Sequence, residues 1–545
     1  MKNLVLSIAL FLFMGNILNS QVKINYPKTK IDAGIDTLHG LILTDNYRWL
    51  ENKKDPEVRK WSEHQHSFTI DFIKNNSPEI LGLKDEIRAL RDRDYIGAPF
   101  YKGNREFFYA RKKGEQQSKL YTRINKKDVL IFDPLQIDAS GKSSISGLDF
   151  TKDGNKAAVG VQFKGNEISD YRIIDTKTGK VIGNIIPGLR GFSWTEDEKH
   201  AYITVGNQEM IDKQIPQRNY LHKIGDDHKN DIFISAPKDA KDFSRVWDSD
   251  EGGITFFSDG DFWSNSLKIR KTRTLDEPKL IFQSDKYKAE PYIRHNKIFI
   301  YTNYEAPNFR LMVTDINKPE FENWKDFYSE TDEMLEGYAI TSDYVIIQIK
   351  RNVVTYLKVY DLRGNFVRDL ELPEIADVGG MSYHKESNTL FISLNTFTTP
   401  SKMYKLDGKT LKWEFFHQDI IPIDANDVVS ELVFYESKDG TKVPMFIVHK
   451  KDIKFDGNNP TLLTGYGGFN SGISPRFLDI FLSFINRGGV YANAGIRGGN
   501  EFGETWHNDG MLLKKQNTFD DFIAAAEYLI ERSEERRVGK ECRSR

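Results

Sequence analysis

Phe150 and the residues after it, TKDGNKAAVGV (151–161), decide the fold: an apolar or aromatic position, a short polar turn, here at Asp153-Gly154, then an apolar strand. Six other segments share this pattern. They are Phe100 before YKGNREFFYA, Trp194 before TEDEKHAYITV, Trp247 before DSDEGGITFF, Ile293 before RHNKIFIYT, Ile340 before TSDYVIIQI and Tyr383 before HKESNTLFISL. In chain order the marks are separated by 50, 44, 53, 46, 47 and 43 residues. Four strands with their turns consume roughly 40–50 residues, so each step predicts one four-stranded propeller blade. Seven marks predict a seven-bladed β-propeller over residues 79–424. Asp153-Gly154 and Asp259-Gly260 are expected turns, because both pairs tolerate positive φ. Radial repetition also protects sheet edges, which favours a propeller over a row of separate sandwiches.

On either side of the repeats the pattern changes. Residues 21–78 are expected to hold a helix, with Val58, Trp61, Phe68, Phe72 and Ile73 at helical spacing and Pro56 at its first turn. From residue 425 the chain begins as a hairpin, LVFYESKDGTKVPMFIVHK, turning at Asp439-Gly440. It continues as a strand (461–464), a helix capped by Ser474 and carrying Phe477 to Ile485, a strand (490–496) and a glycine-rich loop at 497–499. A last helix is expected to be capped by Thr518 with Asp521, and to bury Phe519, Phe522, Ile523, Ala526 and Ile530. Alternating strands and helices predict a doubly wound sheet over 425–532, but an unfinished one.

Composition narrows the function. Among 545 residues, 77 Lys and Arg face 79 Asp and Glu, a net charge of −2, so no basic footprint suggests a nucleic-acid partner. The single cysteine, Cys542, excludes an internal disulfide framework and a cysteine-rich zinc site. Lys2 followed by an apolar run to Met14 predicts a secretory signal over residues 1–20, hence an exported protein, periplasmic or secreted, without a membrane anchor after cleavage. Residues 533–545 hold one strongly apolar side chain, Val538, among five basic and three acidic ones, so they are expected to be a non-native tail from a foreign junction.

Three stretches, YESKDGTKVPMFIVHKK (435–451), GYGGFNSGISPRF (465–477) and AGIRGGNEFGETWHNDGMLLKKQNTFDDFIAAAEYLI (494–530), closely resemble the prolyl oligopeptidase family of serine peptidases. DNYRWLENKKDPEVRKW (45–61) is similar to that family's N-terminal signature. The resemblance implies a seven-bladed propeller joined to an α/β-hydrolase domain built from both chain ends. It implies cleavage of short peptides after proline, with proline-containing oligopeptides as partners, no metal or organic cofactor, and a monomer. It also implies that Tyr466 donates to the oxyanion and that Phe469 lines the substrate pocket. Relatives that cleave after basic residues, and a noncatalytic propeller that binds peptides, are the alternatives.

Serine needs a positioned base, and in α/β-hydrolases it sits on a glycine-flanked elbow followed in sequence by aspartate and histidine. No such elbow occurs; Ser471 has Phe469, not glycine, two positions before it. The triad is therefore expected to be missing, and the chain to be a C-terminally truncated, inactive fragment. Gly141-Lys142-Ser143 lacks the upstream glycine of a phosphate loop, which is Gln136 here. His64 and His66 have no third ligand nearby in sequence, His507 matches a family position that is not the base, and Thr331–Glu336 is expected to be blade-loop surface.

Overall fold

All seven marks occupy one structural position. Each lies in a strand that enters a hairpin, and the apolar run quoted after it is the returning strand, as in Ser143–Phe150 and Lys156–Phe163. The computed structural model describes residues 24–532 apart from 78, 420 and 422–424, so the expected signal segment and tail lie outside the described residues. The strands form antiparallel sheets over 95–132, 143–235, 243–283, 289–328, 334–370 and 377–418. The last four have four strands each, the first has five and the second seven. The seven-stranded sheet arises because Val181–Trp194 serves two neighbours. Its first part pairs with Ser169–Asp175 and its last part with His200–Val205. The bend between them is at Pro187-Gly188, where proline lacks a ladder donor and Gly188 has φ +73°.

Successive sheets stack through their apolar faces, the packing that makes a propeller. Phe107 and Leu120 meet Phe150 and Val159. Further along, Phe256 and Leu267 meet Ile298 and Ile300, and Ile346 and Leu357 meet Leu390 and Ile392. The 377–418 sheet also reaches the first one: Tyr101 stacks on His384 at 4.1 Å and on Phe391 at 5.4 Å, and His384 Nε2 lies 3.4 Å from Gly103 O.

Several expectations are corrected. The boundary expected at residue 79 is the start of a helix, Glu79–Arg91, and the first strand of the stack is Tyr95–Ile96. Asp259-Gly260 is not a turn but the end of the strand Ile254–Gly260, paired with Ser266 and Asn265. The turn is made by Asp261, whose carboxylate accepts from Trp263 N and Ser264 N. Glycine is needed at 260 because a Cβ there would lie 2.1 Å from Ser264 O. Thr331–Glu336 is not loop surface: Met334 and Leu335 are buried in a strand, and Glu333 pairs with Lys358 at 3.0 Å and with Arg351.

The chain divides into two units at Glu86 and Ile87. In the first, Pro56 opens the helix Pro56–Asn76, as the sequence predicts, Asp55 caps it by accepting from Glu57 N, and Trp49 meets Trp61 edge-on at 6.4 Å. Sequence reading misses the hairpin Gly34–Leu38 with Leu41–Asp45, whose turn is His39-Gly40.

The C-terminal sheet has the order Val428–Glu436, Lys442–Lys450, Val490–Ala494, Thr461–Gly465, and only the last pair is parallel. It is covered on both faces. Val443, Met445, Ile447 and Ala492 pack against Trp506, Ala525 and Leu529, while Phe446, Val448 and Tyr491 pack against Leu478, Leu482 and Ile485. The helix expected from Ser474 starts later, as a 3-10 turn at Asp479 leading into Leu482–Asn486. Ser474 instead accepts from Lys350 Nζ at 2.7 Å, which satisfies its hydroxyl without a cap. Thr518 is likewise not a cap: it is buried inside the helix Gln516–Glu531. That helix buries Thr518, Asp521, Ala525 and Leu529, leaving Phe519 and Ile523 exposed, because two polar residues are needed on the inner face.

The Tyr101 contacts join the last sheet to the first. Tyr101→Ala is expected to lower unfolding free energy by about 2 kcal/mol in urea melts, from lost ring stacking and packing. An unchanged midpoint would contradict that role.

Candidate active site

Two glycine loops leave neighbouring strand ends. Gly465 pairs with Ala494 at the carboxyl ends of the two parallel strands, and there the chain enters Tyr466-Gly467-Gly468-Phe469 on one side and Gly495-Ile496-Arg497-Gly498-Gly499 on the other. In open α/β sheets this is where ligands bind. The loops approach too closely for side chains. Gly467 has φ +57° and a Cβ there would lie 2.5 Å from Thr518 Cγ2; Gly498 has φ +104° and a Cβ there would lie 2.4 Å from Gly467 O.

Arg497 fastens this arrangement from below. Its Nη2 and Nε donate to Asp521 at 2.6 and 2.9 Å, its backbone N–H to Asp521 Oδ2 at 2.9 Å, and its Nη1 to Asp439 at 2.6 Å. Arg497 and Asp521 are buried. Burial opposes the guanidinium charge, but hydrogen bonds to Asp521 and Asp439 outweigh it and raise the Arg497 pKa. Hydrogen bonding to Arg497 holds Asp439 at about 2, below its ordinary 3.8. Thr518 Oγ1 donates to Arg497 O at 2.8 Å, and Lys515 Nζ to Gly467 O at 2.7 Å. The Thr518–Asp521 pair thus holds the loop.

Phe469 and Asn470 both adopt left-handed backbone, with φ of +52° and +54°. For a bulky residue this costs about 1–2 kcal/mol, and such strain persists only where neighbours impose it. Asn470 N–H donates to Gly498 O at 3.2 Å, and its amide Nδ2 to Glu504 at 2.9 Å. His507 is buried, with Nδ1 donating to the same Gly498 O at 2.7 Å. Nδ1 also lies 3.2 Å from Asn470 N, and Nε2 is buried without a partner among the described residues, in a ring stacked on Trp263 at 4.5 Å. His507 is therefore a support for the loop.

The sequence-predicted pair sits on the rim. Tyr466 and Phe469 are both about two-thirds exposed, and their ring centroids are 6.5 Å apart. Phe469 meets Phe262 edge-on at 6.2 Å. Phe262, Trp263, Glu290, Phe469, Asn470 and Glu504 line a cavity of about 270 Å³ between the propeller sheets and the C-terminal sheet. Sequence reading misses Phe262 and Trp263; their signal is an adjacent aromatic pair in a hairpin turn. Among the described residues no Ser–His–Asp set converges here. Ser471 is exposed, and the Ser387–His384 contact of 2.7 Å belongs to the seam with Tyr101. The other rejected candidates behave as expected. His64 and His66 are exposed, and the Lys142 N–H that a phosphate loop would offer to its ligand donates to the Asp138 carboxylate instead.

Against known families, residues 26–419 match the prolyl oligopeptidase N-terminal β-propeller domain and residues 476–537 match the prolyl oligopeptidase family. The chain belongs to the prolyl oligopeptidase family. That membership places it among the serine peptidases, with a propeller domain. It is 31% identical to the prolyl endopeptidase of Elizabethkingia miricola, over 97% of this chain and 76% of that protein. It is 30% identical to prolyl oligopeptidase A of Galerina marginata, over 89% of this chain and 72% of that protein. A solved prolyl endopeptidase superposes with a TM-score of 0.89 at 30% identity, covering 94% of this chain and 77% of the other. Prolyl oligopeptidase B of Galerina marginata, bound to a 35-residue substrate, superposes at 0.86 with 25% identity, covering 94% and 77%.

Behind the family's loop, Glu501 is buried between Gly495 and Gly499, with Oε1 accepting from Ile473 N–H at 2.9 Å and Oε2 unpartnered among the described residues. Burial, only partly offset by that hydrogen bond and by Lys350, raises its pKa from 4.5 to about 7. The folded state therefore holds a proton that the unfolded state has released, and stability falls as pH rises from 4.5 to about 7. Glu501→Gln is expected to flatten this slope and to be the more stable protein at pH 8, checked by urea melts across pH. Parallel slopes for both proteins would contradict the assignment.

Proposed function

We propose that the chain carries the substrate-gating propeller and the oxyanion side of an exported, monomeric serine endopeptidase that cleaves proline-containing oligopeptides after proline. The observation that carries this reading is the strained Gly-Tyr-Gly-Gly-Phe loop, which presents Tyr466 and Phe469 beside an aromatic cavity. The Tyr466 hydroxyl makes no hydrogen bond among the described residues. A neutral phenol at a strand's carboxyl end suits donation to a tetrahedral oxyanion. Phe469 and Phe262 offer flat apolar faces to a pyrrolidine ring. The names of the relatives, prolyl endopeptidase and prolyl oligopeptidase, support proline as the residue recognised.

The propeller is read as seven blades in a closed ring over 79–424. Val181–Trp194 is shared by two blades, and Tyr101 with His384 closes the ring. The region 425–532 is read as part of a hydrolase domain. Leu462 in the edge strand Thr461–Gly465, and Phe519 and Ile523 on the last helix, are exposed apolar surface that further α/β elements would cover. The nucleophile, base and orienting acid are assigned to those elements, since the 545 residues contain no glycine-flanked serine elbow. On this reading the chain by itself does not hydrolyse peptides.

A protein extended to the full length of the relatives is expected to cleave fluorogenic peptides after proline. Tyr466→Phe should lower kcat on the order of 100-fold with little change in KM, the signature of a lost oxyanion donor. Cleavage only after Arg or Lys, or full activity in Tyr466→Phe, would overturn the proposal.

A further inference from the structure

One cluster far along the chain from the glycine loops has the composition of a metal site. His222 lies on the strand Arg218–Lys223, and His228 opens the 3-10 turn His228–Asn230. Asp231 precedes the strand Ile232–Ser235. His222 Nδ1 is 2.7 Å from Asp231 Oδ1, and His228 Nδ1 is 3.4 Å from Asp231 Oδ2. One donor atom from each residue lies within 4.8 Å of the others. Ligands on a tetrahedral zinc ion, with bonds of about 2.0–2.1 Å, are about 3.3 Å apart. The three donors therefore need only small movements to close on an ion.

The backbone holds the residues in place. His222 pairs with Ala201 in the strand ladder, Asp227 accepts from Lys229 N to start the turn, and Asp231 N–H donates to His228 O. The two imidazoles are stacked, with centroids 5.3 Å apart. The charges are unbalanced in a way that a cation would correct. The side chain of Asp231 is 7% exposed, that of His222 3%, and no Lys or Arg pairs with Asp231 among the described residues. The nearby lysines are engaged elsewhere, Lys223 with Asp226 and Lys229 with Asp227. A buried carboxylate without a cationic partner is costly. The His228 side chain is 38% exposed, so its side of the cluster is open for entry and for a fourth ligand from water.

We propose that His222, His228 and Asp231 form a structural site for a divalent transition ion, zinc by its nitrogen and carboxylate donors, that pins the 218–235 hairpin. Each imidazole binds neutral through the Nδ1 lone pair with its proton on Nε2, and Asp231 binds as carboxylate. Any proton held on Nδ1 in the ion-free form shifts to Nε2 or leaves to solvent.

The test is Zn²⁺ titration by calorimetry of the chelator-treated chain, with Cys542→Ser so that the lone thiol does not contribute, together with Co²⁺ absorption as a reporter of geometry. The expected result is one equivalent bound, a tetrahedral Co²⁺ spectrum and a Tm that rises with added Zn²⁺. His228→Ala, at the partly exposed ligand, should weaken binding at least tenfold while leaving the ion-free Tm within a few degrees. His64→Ala with His66→Ala should change nothing. No stoichiometric binding, or binding unaffected by His228→Ala, would overturn the site. His228→Ala alone decides the matter if Asp231→Asn or His222→Ala fails to fold.

Discussion

Everything at the candidate active site depends on the buried pair of Arg497 and Asp521. The guanidinium and the backbone N–H of Arg497 both donate to one carboxylate, so a single side chain from the last helix sets where the 495–499 loop begins. From there the constraint passes outward by hydrogen bonds to Gly498 O, which receives both Asn470 N–H and His507 Nδ1. Asn470 adjoins Phe469, so the position of the Phe469 ring is inherited from an ion pair beneath it. Buried pairs add little net stability but are costly to break, about 3–5 kcal/mol when one partner is lost. That asymmetry suits a positioning device, because partial loosening is disfavoured.

The site is a place of local cost supported by its surroundings. A phenylalanine in left-handed backbone, and a buried carboxylate oxygen on Glu501 and a buried imidazole nitrogen on His507 that have no partner among the described residues, lie in or beside the two loops. Each is unfavourable alone, and together they mark where the fold accepts strain for a purpose. The surrounding support is the sheet packed on both faces and the propeller, which contributes Trp263 against His507 and Phe262 against Phe469.

The repeats were legible because each hairpin repeats one physical requirement, an apolar strand returning after a polar turn, and all seven marks lie in the expected place. The helices of the C-terminal region were less legible. Thr518 and Asp521 have the spacing of a cap, yet tertiary partners claim both: Thr518 donates to Arg497 O and Asp521 holds the guanidinium. The face of that helix was misassigned for the same reason, since hydrophobic periodicity alone favours Phe519 and Ile523 over a buried aspartate. Asp259-Gly260 failed because its glycine meets a close backbone contact within a strand and makes no turn. Tyr466 and Phe469 were singled out through family resemblance. Their aromatic partners from the propeller were not, because an adjacent aromatic pair in a hairpin turn does not say which distant loop it meets.

The ion pair controls the loops, and amide hydrogen exchange on wild type and Asp521→Asn measures this directly. The expected result is a selective loss of protection in peptides covering 465–473 and 495–503, with propeller peptides such as 254–271 unchanged. Unchanged exchange in both loops, with Asp521→Asn folded, would show that the Arg497 clamp does not hold them and would contradict the account.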